Sequence, residues 1–110
     1  MIVFEKVPRR DYLDSIWYDV ENAPEEITEY PMYLTLNLAR VLAYTEEGLI
    51  LSKKEGGTWA LDHLPPEYRP LILDALREYT ESAPVAYDEA LAERYAAYVV
   101  GRIRPYIGVM

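Results

Sequence analysis

Residues 31–48 read Pro31-Met32-Tyr33-Leu34-Thr35-Leu36-Asn37-Leu38-Ala39-Arg40-Val41-Leu42-Ala43-Tyr44-Thr45-Glu46-Glu47-Gly48, a run with the marks of a central helix. Proline is favoured in a helix's first turn and glycine just past its end, so one helix is expected from Pro31 to about Glu46. Leu34, Leu38, Val41 and Leu42 recur at helical spacing and form one apolar face. Leu36 and Ala43 lie nearly opposite. A helix apolar on two sides is expected at the centre of a bundle. Between those sides runs a stripe at i, i+4, i+7 and i+11: Tyr33, Asn37, Arg40 and Tyr44.

The flanking segments read as helices that would pack on this centre. Upstream, Leu13, Ile16, Trp17 and Val20 predict a helix from about Asp11 to Glu21, ended by Asn22-Ala23-Pro24. A short acidic connection follows. Downstream, Ser52-Lys53-Lys54-Glu55 fits a capping box, with Ser52 as N-cap and Glu55 three residues on. That helix stops before Pro65-Pro66. Pro66 opens the next, in which Tyr68, Leu71, Ile72, Ala75, Leu76 and Tyr79 share a face. After a break at residues 80–83, a last helix spans about Tyr87 to Arg104, with Leu91, Tyr95, Tyr98, Val99 and Ile103 inward. Met1 to Val7 has an extended look, and no other strand is expected. The predicted fold class is all-α, an antiparallel bundle of about five helices in a single domain over residues 1–110.

Composition narrows the function classes. The chain has 110 residues, no cysteine and a net charge of −8. Without cysteine there is no disulfide, thiolate metal site or cysteine nucleophile. The negative field disfavours nucleic acid and acidic membrane surfaces and favours cationic ligands. No apolar run is long enough for a membrane-spanning helix, and the first residues are too weakly apolar for a signal peptide. A cytoplasmic location is the default expectation.

Common catalytic constellations are missing from these residues. The single histidine, His63, allows no histidine metal cluster and is expected to serve the end of its helix. The ribonuclease pairing of an arginine a few residues before a histidine fails, because none of residues 56–58 is arginine. There is no Walker motif, and no Gly-Ser followed by Asp-x-Asp of the kind that holds metal and triphosphate.

Three features remain. Lys53 opens a helix and is soon followed by Gly56-Gly57. Each glycine costs about 1 kcal/mol against alanine inside a helix, a cost tolerated where a neighbouring helix or a ligand approaches the backbone. A helix N-terminus with a lysine also suits phosphate. Arg40, in a mostly apolar helix, calls for an anionic partner, either an internal Asp or Glu or a phosphate. Tyr33, Tyr44 and Tyr79 are placed to line the same wall or to form an ordinary core edge. Finally, Asp11 to Tyr30 holds seven carboxylates and no lysine or arginine, which reads as a solvated face or a cation site.

The segments Leu36-Asn37-Leu38-Ala39-Arg40 and Ser52-Lys53-Lys54-Glu55-Gly56-Gly57-Thr58-Trp59-Ala60-Leu61, in order and correctly spaced, give the chain its resemblance. Leu64-Pro65-Pro66-Glu67-Tyr68-Arg69-Pro70, Arg77-Glu78-Tyr79 and the upstream Val7-Pro8-Arg9-Arg10-Asp11 continue it. The sequence resembles the C-terminal helical domain of the aminoglycoside (spectinomycin/streptomycin) nucleotidyltransferases of adenylyltransferase type. That resemblance implies transfer of AMP from ATP, with magnesium, to an antibiotic hydroxyl. In the family the N-terminal domain carries the metal-binding carboxylates and the base, so this domain is not expected to be active alone or to hold ATP stably alone. It implies a catalytic nucleotidyltransferase domain as partner, in cis or in trans.

The family's phosphate-contacting arginine, lysine after serine, and tyrosine after Arg-Glu correspond to Arg40, Lys53 and Tyr79. Streptomycin-modifying members carry Asp and His where this chain has Tyr30 and Tyr33, which leans toward spectinomycin. Glu26 and Glu29 are further candidates to meet the amino groups of a cationic aminoglycoside or aminocyclitol. No catalytic or metal-ligating residue is expected here. The alternative is a helical interaction module that kept the fold, lost the chemistry and pairs with itself as a homodimer.

Overall fold

A computed structural model describes the backbone of residues 9–107 and the side chains of residues 11–107. The extended reading of residues 1–7 lies outside the described residues. The helices are α1 (Arg9–Tyr18), α2 (Ala23–Glu26), α3 (Pro31–Glu47), α4 (Lys53–His63), α5 (Arg69–Glu81) and α6 (Glu89–Ile107). Five of the six are ten residues or longer, and no strand occurs among the described residues. The fold is an all-α bundle.

The helix at the centre is α3, as its two apolar sides predict: it packs against α1, α4, α5 and α6. Leu34, Leu36, Leu38, Val41, Leu42 and Ala43 are all buried. Each large aliphatic side chain removed from water contributes about 1.5–3 kcal/mol, so this helix supplies much of the core. Gly48 ends it with φ 72°, a left-handed conformation that glycine adopts without a Cβ penalty.

Several boundaries differ from expectation, α5 running to Glu81 and α6 to Ile107, and three of the differences have a local reason. First, α1 stops at Tyr18, not at Glu21. The chain turns there, with Val20 N–H donating to Trp17 O, so that Val20, Ala23 and Ile27 become buried, and the turn α2 packs on α6. The acidic connection therefore contains a short helix. Second, Pro66 to Tyr68 is a 3-10 turn, not α-helix. Pro70 has no N–H to donate to Pro66 O, and that carbonyl is taken by Arg69 N–H instead. Third, α6 begins at Glu89, because Asp88 Oδ1 accepts from Leu91 N–H and acts as the cap. Tyr87 lies before the helix, and its hydroxyl donates to Glu78 Oε1 at 2.6 Å, tying the connection back to α5.

Polar ties fix how α6 sits on α3. Tyr95, fully buried, donates its hydroxyl to Thr35 O at 2.7 Å. Burial pushes its ionisation well above the ordinary tyrosine range, so it remains a neutral donor. Farther along, Arg102 grips Glu46 with two guanidinium nitrogens and donates to Tyr98 Oη at 2.9 Å. Thr35 Oγ1 is buried with no hydrogen-bond partner among the described residues.

Two stability effects follow. Tyr95→Phe should lower unfolding free energy in urea by about 1–3 kcal/mol, because it removes one partner of a buried hydrogen bond. Thr35→Val, nearly isosteric, should raise it by about 1 kcal/mol by removing the orphan hydroxyl.

Candidate functional site

Arg40 sits where α3 and α4 come closest. A Cβ at Gly56 would stand 2.7 Å from Arg40 Cγ and 3.2 Å from Arg40 N, too close for any real side chain. A Cβ at Gly57 would meet Leu76 Cδ2 at 2.7 Å and Leu36 Cδ2 at 2.8 Å. Neighbouring helices therefore account for both glycines, which answers one alternative the sequence left open.

The guanidinium of Arg40 is half-buried and held by two neutral acceptors. Its Nε donates to Leu51 O at 2.7 Å, and Nη1 donates to Asn37 Oδ1 at 2.8 Å. Among the described residues it has no ion pair, so the expected internal Asp or Glu partner is not there. Nη2 makes no hydrogen bond among the described residues. The group borders a narrow cleft with Asn37 and Leu51 beside it, Tyr12 and Ile16 opposite, and Asp19 on its wall. A positive charge on the edge of the core that forms no ion pair among the described residues can receive an anion, with Asp19 the one acidic side chain lining the cleft.

Lys53 is placed by the capping box that the sequence predicts. Glu55 N–H donates to Ser52 Oγ at 3.1 Å, and Ser52 N–H donates to Glu55 Oε1 at 2.8 Å. Those bonds use two first-turn donors and leave the amides of Lys53 and Lys54. The Lys53 ammonium lies 5.3 Å from the centre of the Tyr33 ring, within cation–π range. Tyr79 is exposed. It follows Leu76, which touches Gly57, by three residues, and so lies toward the same end of the α4–α5 pair as Lys53. No hydrogen bond or ring contact joins it to Arg40 or Lys53 among the described residues. Tyr44 belongs to the core edge, buried with its ring 4.8 Å from that of Tyr12. The structure thus brings Tyr33, Lys53 and Arg40 onto one wall and leaves Tyr79 near it without contact.

Beside that wall lies an open groove of about 680 Å³, solvent included, lined by Asp19, Glu26, Tyr30, Tyr33 and Leu34. Three of the four proposed antibiotic contacts, Glu26, Tyr30 and Tyr33, share it. Glu29 does not line it. Asp19 is the residue that sequence reasoning missed: it lines both the groove and the Arg40 cleft. The signal was its place among the seven carboxylates, but extending α1 to Glu21 hid the turn that presents it. Asn37 stood in the polar stripe without an assigned role, and its bond to Arg40 was not foreseen.

His63 is a helix-end residue, as expected. Its Nδ1 lies 2.8 Å from Trp59 O, its ring stacks on Trp59 at 4.4 Å, and its Nε2 is 3.5 Å from Glu47. No group of His, Cys, Asp or Glu suited to a metal ion occurs among the described residues, and no described helix is long and apolar enough to cross a membrane.

Comparison with known proteins points one way. The family model described as aminoglycoside adenylyltransferase, C-terminal domain, matches residues 2–102. The aminoglycoside (3'')(9) adenylyltransferase of Escherichia coli is 27% identical over 110 residues, covering 96% of this chain and 42% of the relative. That of Klebsiella pneumoniae is 27% identical over 109 residues with the same coverage, so the chain spans less than half the length of these curated relatives. No solved structure matches it. With nearly all of its length matched and an all-α bundle to go with it, the chain belongs to the family of aminoglycoside adenylyltransferase C-terminal domains.

Proposed function

We propose that this domain forms the nucleotide- and antibiotic-facing wall of an aminoglycoside O-adenylyltransferase, whose base and metal ligands come from a nucleotidyltransferase domain in cis or in trans. The observation that carries the reading is Arg40, half-buried and held by the Leu51 carbonyl and the Asn37 amide, with no ion pair to a carboxylate among the described residues although Asp19 lines the same cleft. That donor set suits phosphate oxygens. It offers no ligand for magnesium, which would arrive with the ATP. Arg40 and Lys53 offset triphosphate charge and hold the chain of phosphates for in-line attack by an antibiotic hydroxyl, with pyrophosphate leaving. Tyr79 joins them as a third contact when the second domain closes the cleft.

The groove takes the antibiotic. Asp19 and Glu26 meet protonated amino groups, and Tyr30 and Tyr33 give the ring system flat apolar walls. Glu29 contributes charge from outside the groove, within a field set by the net charge of −8. Tyrosines at 30 and 33 favour spectinomycin over streptomycin. This work is done in the cytoplasm, where ATP is available.

Calorimetric titration with magnesium–ATP and with spectinomycin tests the reading, for the chain alone and mixed with a matching catalytic domain. The mixture should transfer AMP and the chain alone should not. Arg40→Gln should lower kcat/KM of the mixture about 10–100-fold, as loss of a charge-assisted hydrogen bond implies. No ligand binding and no transfer by the mixture would overturn it.

The exposed apolar side chains of Ile50, Tyr30 and Tyr33 favour a second reading, in which the domain pairs with another copy. Light scattering over a hundredfold range of concentration should then show a monomer–dimer equilibrium, and a monomer throughout would count against it.

A further inference from the structure

Asn37 is an amide, 5% exposed, in a mostly apolar helix whose other buried polar side chain is Thr35. Burying an amide is costly unless it is bonded, so its presence needs a reason. Its Oδ1 accepts from Arg40 Nη1 at 2.8 Å, while Leu51 O takes Nε at 2.7 Å. A guanidinium only donates, so the amide must turn its oxygen toward Arg40. Its NH2 branch then points elsewhere and has no acceptor among the described residues. Asn37 and Arg40 line the same cleft.

We propose that Asn37 is the positioning residue of the anion site: it fixes the Arg40 guanidinium without neutralising it and presents its own amide N–H groups to the same cleft. The inference rests on the phosphate reading of Arg40 and deepens it. The charge of the acceptor is the point. An aspartate at 37 would hold Arg40 just as firmly, but would form an ion pair and spend the positive charge internally. Asparagine supplies the geometry and leaves the charge for the ligand. A leucine would remove both. The neutral carbonyl of Leu51 on the other edge acts in the same sense. Two uncharged acceptors thus order a cation that forms no ion pair among the described residues, Asp19 lining the cleft without pairing with it.

The test uses the whole 110-residue chain. Inorganic tripolyphosphate is the probe, and the Nε–Hε resonance of Arg40 is the reporter in ¹⁵N NMR. In the unmodified chain this resonance should be ordered and should shift on titration. Asn37→Asp should keep it ordered and leave the melting temperature unchanged or higher, yet weaken tripolyphosphate binding at least about tenfold, the loss of a charge-assisted contact. Asn37→Ser should fold, loosen the Arg40 resonance and weaken binding as well, and it serves if the Asp variant does not fold. A role in folding alone predicts the opposite for Asn37→Asp, with affinity retained. Full affinity in either variant overturns the positioning role while leaving the phosphate reading intact. No shift in the unmodified chain at millimolar probe overturns the phosphate reading, and this inference with it.

Discussion

The backbone-to-backbone approach of α4 to α3 at Gly56 and Arg40 governs the rest of the structure. Removing two Cβ atoms lets α4 come close enough for its next residue, Gly57, to sit between Leu36 and Leu76. The approach also brings the connection from Gly48 to Ser52 alongside α3, so that the Leu51 carbonyl reaches Arg40. Lys53 follows two residues later, over the ring of Tyr33. One close contact therefore sets the core between three helices and the cationic wall together. The glycines' cost in helix propensity, about 1 kcal/mol each, is recovered in packing that no larger residue permits.

Most of the fold was legible because local and tertiary demands agree. In α3 the apolar residues on two sides, the initial proline and the final glycine all say the same thing, and the helix lies where they place it. The capping box of α4 is equally explicit. Disagreement appears where tertiary packing overrides local pattern. Val20 reads as the fourth apolar position of α1, but it is buried after a turn, because Ala23 and Ile27 must reach α6 as well. No periodicity count over a single segment carries that information. Tyr87 fits the register of α6, yet Asp88 is the better cap and leaves Tyr87 to bond Glu78.

The candidate site was legible as residue types and not as geometry. Arg40 in an apolar helix announces that its charge needs an answer, but the sequence offered a carboxylate or a phosphate and could not choose. The choice depends on which acceptors fall within 3 Å, and those are a loop carbonyl and an amide. Carbonyl acceptors leave no trace in a sequence, since every residue has one. Asp19 was hidden for a related reason: a carboxylate's role depends on the turn that carries it. Tyr79 was flagged by its helix face and by resemblance, and it is exposed, with no contact to Arg40 or Lys53 among the described residues.

The ring of Tyr33 has two tenants. It lines the acidic groove, and the same side chain lies under the Lys53 ammonium. The two halves of the wall therefore share one residue and do not vary independently. A substitution at 33 that reshapes the groove also takes away the aromatic surface beneath Lys53. Change in the groove at this position is therefore coupled to the surroundings of Lys53, whereas no ring contact to Lys53 ties Tyr30 or Glu26 to it among the described residues.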